Sequence, residues 1–98
     1  MKTLITEAIK GKKCIQFNYD DDGSRMVEPH CIGISIAGNP VLRAFQTSGH
    51  SLSGGTPDWR LFDLSKITGL KILEQTFPKA RPDYHKGDKG MSLIHFEL

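Results

Sequence analysis

Arg43 and Arg60 are the residues whose type and setting point most directly to chemistry. Arg43 interrupts an apolar run, Val41-Leu42-Arg43-Ala44-Phe45, and Arg60 follows the single tryptophan, Trp59. A guanidinium grips phosphate through paired N–H donors and stacks on planar bases. If the strands that carry the two arginines are neighbours, both line one groove. His30 follows Pro29, where it can hydrogen-bond a phosphate or a base; it fits a partly buried structural histidine equally well. Lys66 adds a further cation. Trp59 ends a Ser/Gly-rich stretch and offers either a stacking platform for a base or a packing role in the core or at a rim. Tyr19 is a second aromatic that accompanies these basic residues. The set Arg60, Arg43, His30, Lys66, Trp59 and Tyr19 describes a basic pocket for an anionic ligand.

Other chemistries fare worse. Cys31 beside His30 invites a thiol–imidazole pair, but successive residues of a strand point to opposite faces, and a pair needs hydrogen-bond reach. Cys14, Cys31, His30, His50, His85 and His95 show none of the short spacings of a zinc site. Asp20-Asp21-Asp22-Gly23 reads as a solvated turn, because the closing glutamate of a calcium loop is missing. The stretch from Ser48 to Gly55 lacks the Gly-Lys-Ser/Thr ending of a phosphate-cradling loop. No nucleophile, base and orienting group stand out together, so the expectation is a binding module and not an enzyme, with no cofactor and no metal.

Composition sets the outer limits. The chain has 98 residues, 38% hydrophobic and 24% charged, which fits one small soluble domain. The net charge is +2 and the pI about 8.6, short of the value above about 9 that marks a general nucleic-acid binder. Anion recognition must therefore come from where the basic residues sit. No apolar run approaches the roughly 18 residues of a membrane span, and Glu7 and Lys10 interrupt any signal-peptide core. Two cysteines make no disulfide framework, so the expected setting is reducing and cytoplasmic.

The elements that must position these side chains are short. Leu4, Ile5, Ala8 and Ile9 recur at helical spacing, with Thr3 as N-cap and Lys10-Gly11 as the stop. Ile15, Phe17 and Tyr19 alternate with Cys14, Gln16 and Asn18, the pattern of a half-buried strand. The acidic turn leads to a second strand from about Ser24 to Ile36, an edge or bulged strand because Pro29 lies inside it. Val41 to Gln46, Trp59 to Leu64 and Ile67 to Leu73 read as three more strands, with Arg60, Phe62 and Leu64 on one face. After Phe77-Pro78 comes a mixed polar connection, then an alternating terminal strand, Met91 to Leu98, that closes the sheet or pairs with another copy. Residues 1–77 form the main β unit, and 78–98 a connection and strand of the same domain. Ten glycines, five prolines and short strands predict a mainly β, small antiparallel barrel with a short N-terminal helix.

The ordered set Glu7-Ala8-Ile9, Ile15-x-Phe17-x-Tyr19, Arg25-x-Val27-Glu28-Pro29-His30, Leu42-x-Ala44-Phe45 and Arg60-x-Phe62-x-Leu64-x-Lys66-Ile67 resembles the WYL domain. The resemblance runs from about Leu4 to Phe77. It implies an SH3-like, Sm-like barrel that senses nucleotides or nucleic acid through a basic surface, as in bacterial transcription regulators. Arg60 matches the family's recurrent arginine. Pro40-Val41-Leu42 stands where the family has Trp-Tyr-Leu, and no helix-turn-helix precedes it here. The functional expectation is a regulatory module that recognises a nucleotide or short single-stranded nucleic acid. The alternative is a protein-interaction or oligomerisation module, with a homodimer or a regulatory protein as partner; neither involves a membrane.

Overall fold

The structure is a computed structural model that describes residues 1–20, 23–49 and 57–98. Helix α1 spans Lys2–Lys10 and buries Ile5, Ala8 and Ile9. Those three fall on one face because 3.6 residues complete a turn. Leu4 is half exposed, so the stripe is narrower than its apolar residues suggest. The start also differs from expectation. Met1 holds the N-cap position without a side-chain bond, the Met1 carbonyl accepts from the Ile5 N–H at 3.0 Å, and Thr3 is already inside the first turn. At the other end, Gly11 N–H bonds to the Glu7 carbonyl at 3.0 Å. The left-handed residue that turns the chain is Lys12, at φ 51°.

Among the described residues six strands follow: β1 Lys13–Tyr19, β2 Ser24–Ser35, β3 Pro40–Gly49, β4 Asp58–Asp63, β5 Ile67–Thr76 and β6 Met91–Glu97. All pair antiparallel, in the order β4-β3-β2-β1-β5, with β6 also on β2. Pro29 does not put β2 at an edge. The strand is the hub: β3 runs along it, and β1 and β6 pair with its first and second halves. The missing proline N–H is accommodated by a bulge between Pro29 and Cys31, one of the two solutions open to a proline in a sheet. Gly33 is required by the crossing of β6, since a Cβ there would overlap the Leu93 carbonyl.

The C-terminal strand thus pairs within its own chain, and the sheet is not closed. Its two end strands, β4 and β5, are joined by one 3₁₀ turn, Leu64–Lys66, whose cap Asp63 accepts from the Ser65 N–H. Tyr19 Oη accepts from the Asp63 N–H at 2.9 Å, and the Asp20 N–H reaches the Lys66 carbonyl at 2.8 Å.

The sheet curls around an apolar core of Ile5, Ile9, Ile15, Phe17, Val27, Ile32, Leu42, Phe62 and Ile67, with α1 covering the inner face. Phe17, Leu42, Phe62 and Ile67 are buried as their strand positions predict. Phe62 meets Phe17 and Tyr19 edge-on, with both centroid distances 5.1 Å. Burying one such side chain contributes about 1.5–3 kcal/mol, so this layer is a large stabilising element.

Candidate functional site

Directly opposed residues of paired strands share a face of the sheet. Arg43 pairs with Leu61 and Phe45 with Trp59, whereas Ala44 pairs with Arg60 and Leu42 with Phe62. Leu42 and Phe62 belong to the core, so the register sets Arg60 on the inner face and Arg43 with Trp59 on the outer one. The strands are neighbours, as the one-groove expectation requires, yet the two arginines straddle the sheet. Arg60 binds Asp58 at 3.1 Å and the Trp59 carbonyl at 3.0 Å. Tyr19 lies at the end of the core, with the Arg25 guanidinium 5.2 Å from its ring centroid. Lys66 is exposed on the β4–β5 turn, 4.0 Å from Asp20.

The bulge in β2 has a chemical consequence. Cys31 stands opposite outward-facing Arg43, and His30 packs against outward-facing Trp59 at 4.8 Å. The extra residue therefore brings two sequence neighbours to the same face, against simple alternation. They do not form a reactive pair. His30 Nδ1 lies 2.8 Å from the Glu28 carbonyl, and its Nε2 lies 3.1 Å from the Arg81 N–H. One partner can only accept and the other only donate, which selects the neutral imidazole protonated on Nδ1. Burial holds the His30 pKa below its usual value. Burial also pushes the Cys31 thiol up to about 12. Both ring nitrogens are used, so His30 braces the outer face and has no donor left for a ligand.

Residues 78–90, the polar connection of the sequence, fold over this outer face as a strap. Arg81 grips Glu28 with both prongs, at 2.7 and 3.0 Å, and stacks 4.1 Å over Phe45. Arg43 grips Asp88 in the opposite sense, at 2.7 and 3.2 Å. The sheet thus supplies the acid of one clamp and the base of the other. Between them Trp59 Nε1 donates to Asp83 at 2.7 Å. Tyr84 stacks on Trp59 at 5.9 Å with the ring planes 28° apart, and reaches the His30 carbonyl with its hydroxyl at 3.4 Å. Phe77 stacks on His30 at 5.2 Å.

A cavity of about 660 Å³ opens between strap and sheet, lined among others by Arg43, Trp59, Tyr84, Lys86, Asp88 and Lys89. Lys86 and Lys89 are exposed. Among the described residues neither has an ion-pair partner. Asp88 is nearly covered; the Arg43 hydrogen bonds hold its carboxyl below the usual range, against the effect of burial.

Of the six residues singled out in the sequence, Arg43 and Trp59 line the cavity and His30 supports it from beneath. Arg60, Tyr19 and Lys66 lie elsewhere. Tyr84, Lys86, Asp88 and Lys89 were missed. The signal available was a tyrosine amid charges of alternating sign, from Arg81 to Lys89. His50 and the Ser/Gly loop from 50 to 56 lie outside the described residues, as do Asp21 and Asp22 of the acidic turn. Among the described residues no cluster of three or more His, Cys, Asp or Glu is arranged to hold a metal. No helix there is long and apolar enough to cross a membrane. Comparison with family models, with curated proteins and with solved structures finds no match.

Proposed function

We propose that this chain is a ligand-binding regulatory module that recognises a nucleotide or a short single-stranded nucleic acid in the outer-face cavity. One observation carries the reading: the cavity joins an aromatic pair, Trp59 and Tyr84, to the cations Arg43, Lys86 and Lys89. Aromatic faces take bases and the cations take phosphate. A volume of about 660 Å³ falls within the roughly 300–1,000 Å³ of small-molecule pockets, which favours a mono- or dinucleotide over a long strand. The strand order, the 3₁₀ turn between β4 and β5 and the helix over the inner face support reading the open sheet as the SH3-like or Sm-like barrel that the WYL resemblance implies. Recognition is the chemistry on offer: both thiols are buried with raised pKa values, and the buried histidine is fully bonded. Free thiols also fit a reducing, cytoplasmic setting.

Trp59 is the single tryptophan and lines the cavity, so its emission reports binding. Titration with mono- and dinucleotides and short oligonucleotides should quench or shift it. Affinity for single strands should fall with salt by about 0.7 in log–log slope per neutralised phosphate. Unchanged emission, with no heat of binding at millimolar ligand, would end this reading.

A second reading, association with a regulatory protein or with a second copy, rests on Ile36 and Leu93. Both are more than half exposed. They lie at adjoining ends of β2 and β6, where Ile34 pairs with Leu93 and the Ile36 N–H bonds to the Gly90 carbonyl. Sedimentation at high micromolar concentration separates the two readings: a nucleotide-independent dimer supports association, and a monomer that binds nucleotide removes it.

A further inference from the structure

The Arg43 guanidinium already holds an oxyanion in the way it would hold a phosphate. Its Nε and Nη2 donate to the two oxygens of Asp88 at 2.7 and 3.2 Å, and the Gly90 N–H adds a third donor to one of them at 2.8 Å. A planar fork on two oxygens of one anion is the arrangement by which arginine takes carboxylate and phosphate alike. The carboxylate comes from the strap and the guanidinium from the sheet, and both line the cavity. We infer that Asp88 is an internal stand-in for a ligand phosphate, and that a phosphate-bearing ligand enters the cavity by displacing Asp88 from Arg43. The inference rests on the nucleotide reading of the same cavity and adds its regulation.

Four features support the exchange. Arg43 keeps 28% of its side chain exposed while Asp88 keeps 9%, so the base stays open to an incoming anion while the acid is tucked against it. Position 90 carries no side chain; a Cβ there would lie 3.1 Å from both Arg43 Nη2 and Asp88 Oδ1, crowding the place where one oxyanion must replace another. Lys86 and Lys89 flank Asp88 on the strap and line the cavity without an acid partner among the described residues. With Asp88 turned to solvent, three cations face the ligand, and the other carboxylate of the lining, Asp83, is engaged by the Trp59 Nε1–H. Finally, the strap has a separate anchor. The Arg81–Glu28 clamp and the Trp59–Asp83 bond hold its first half in place while its second half lets go.

The test compares wild type with Asp88→Asn and Asp88→Ala, using 5′-phosphorylated dithymidylate and inorganic pyrophosphate as probes, read by calorimetry and Trp59 emission. Removing the competing charge should tighten both probes about tenfold, the scale of one charged hydrogen-bond difference. Adding Arg43→Ala should erase the gain. If wild type binds and the folded Asp88 variants bind equally or more weakly, Asp88 merely shapes the cavity and the inference falls while the nucleotide reading stands. If neither wild type nor the variants bind either probe, both fall together. Should the variants fail to fold, the unaltered protein decides. The Asp88 carboxyl, followed by carbon NMR, should titrate closer to the ordinary carboxylate range once pyrophosphate is bound. An Asp88 that titrates identically with and without pyrophosphate overturns the inference.

Discussion

On its inner face the sheet buries Ile15, Phe17, Val27, Ile32, Leu42 and Phe62 against one helix. On its outer face it buries His30 and Cys31, and a strap covers them through two opposed arginine clamps and an indole–carboxylate bond. The inner layer is held by area removed from water, which has no direction and little dependence on salt or pH. The outer layer is held by directional, charged contacts that require particular partners. Its contacts can therefore be exchanged singly for those of a ligand, whereas the inner layer can only be repacked. On the proposed reading, recognition at the outer face would keep any ligand-driven rearrangement away from the apolar core.

Truncation should separate the layers most sharply. Phe62→Ala removes a ring that packs edge-on against two others and should cost about 3–5 kcal/mol in a denaturant titration. A loss near zero would mean that the inner layer does not carry the fold. Arg81→Ala should cost less, about 2–3 kcal/mol, because it leaves the nearly covered Glu28 carboxylate without its bidentate partner. The loss should be smaller when Glu28→Gln is added, since the stranded charge is then gone. A double variant that simply sums two full losses would show that the clamp does not act as a unit.

Acid should loosen the outer layer first. Burial depresses the pKa of folded His30, so below its ordinary value of about 6.5 the unfolded chain takes up a proton that the folded chain refuses. The stability contributed by neutral His30 is complete above that pH and is lost as pH falls toward the folded pKa. Asp88 follows the same sign at lower pH. Its folded pKa is depressed by Arg43, so its contribution is present above the ordinary carboxylate range, near 4, and lost as pH falls through the folded value. Denaturant midpoints measured between pH 8 and 3 should fall in two stages, and His30→Gln should flatten the earlier one. A His30→Gln profile that keeps the first stage would assign it to another group.

The sequence displays the two layers unequally, for a physical reason. Alternation in Ile15-x-Phe17-x-Tyr19 and Arg60-x-Phe62 marks the inner face, because apolar side chains of one strand must share one solvent-free side. The short helix is visible for the same reason, from Ile5, Ala8 and Ile9. Pro29 announces an irregularity, but whether it makes an edge or a bulge depends on which strands flank it. The outer layer is nearly silent. Arg81, Asp83 and Asp88 look like solvated charges until their partners at Glu28, Trp59 and Arg43, between 24 and 53 residues away, are known. Arg43 and Arg60 illustrate the limit: both stand in apolar company, and only the register of β3 against β4 sends one outward and the other inward.

The smallest effects test where the proposed ligand would bind. Lys66 and Lys86 are both exposed lysines, one on the β4–β5 turn and one on the wall of the cavity. Lys66 lies 4.0 Å from Asp20, with both side chains about half exposed or more. Such a pair contributes under about 1 kcal/mol, so Lys66→Ala should leave stability almost unchanged. Lys86 has no ion-pair partner among the described residues, and Lys86→Ala should be equally mild for folding. The two variants should part on binding. A lysine that meets a phosphate loses that contact on truncation, weakening a dinucleotide severalfold and reducing the single-strand salt slope by about 0.7. Lys86→Ala should show both changes and Lys66→Ala neither. The reverse pattern would return the ligand to the surface around Arg60, Tyr19 and Lys66, and the outer face would then be a second core fastened by charge.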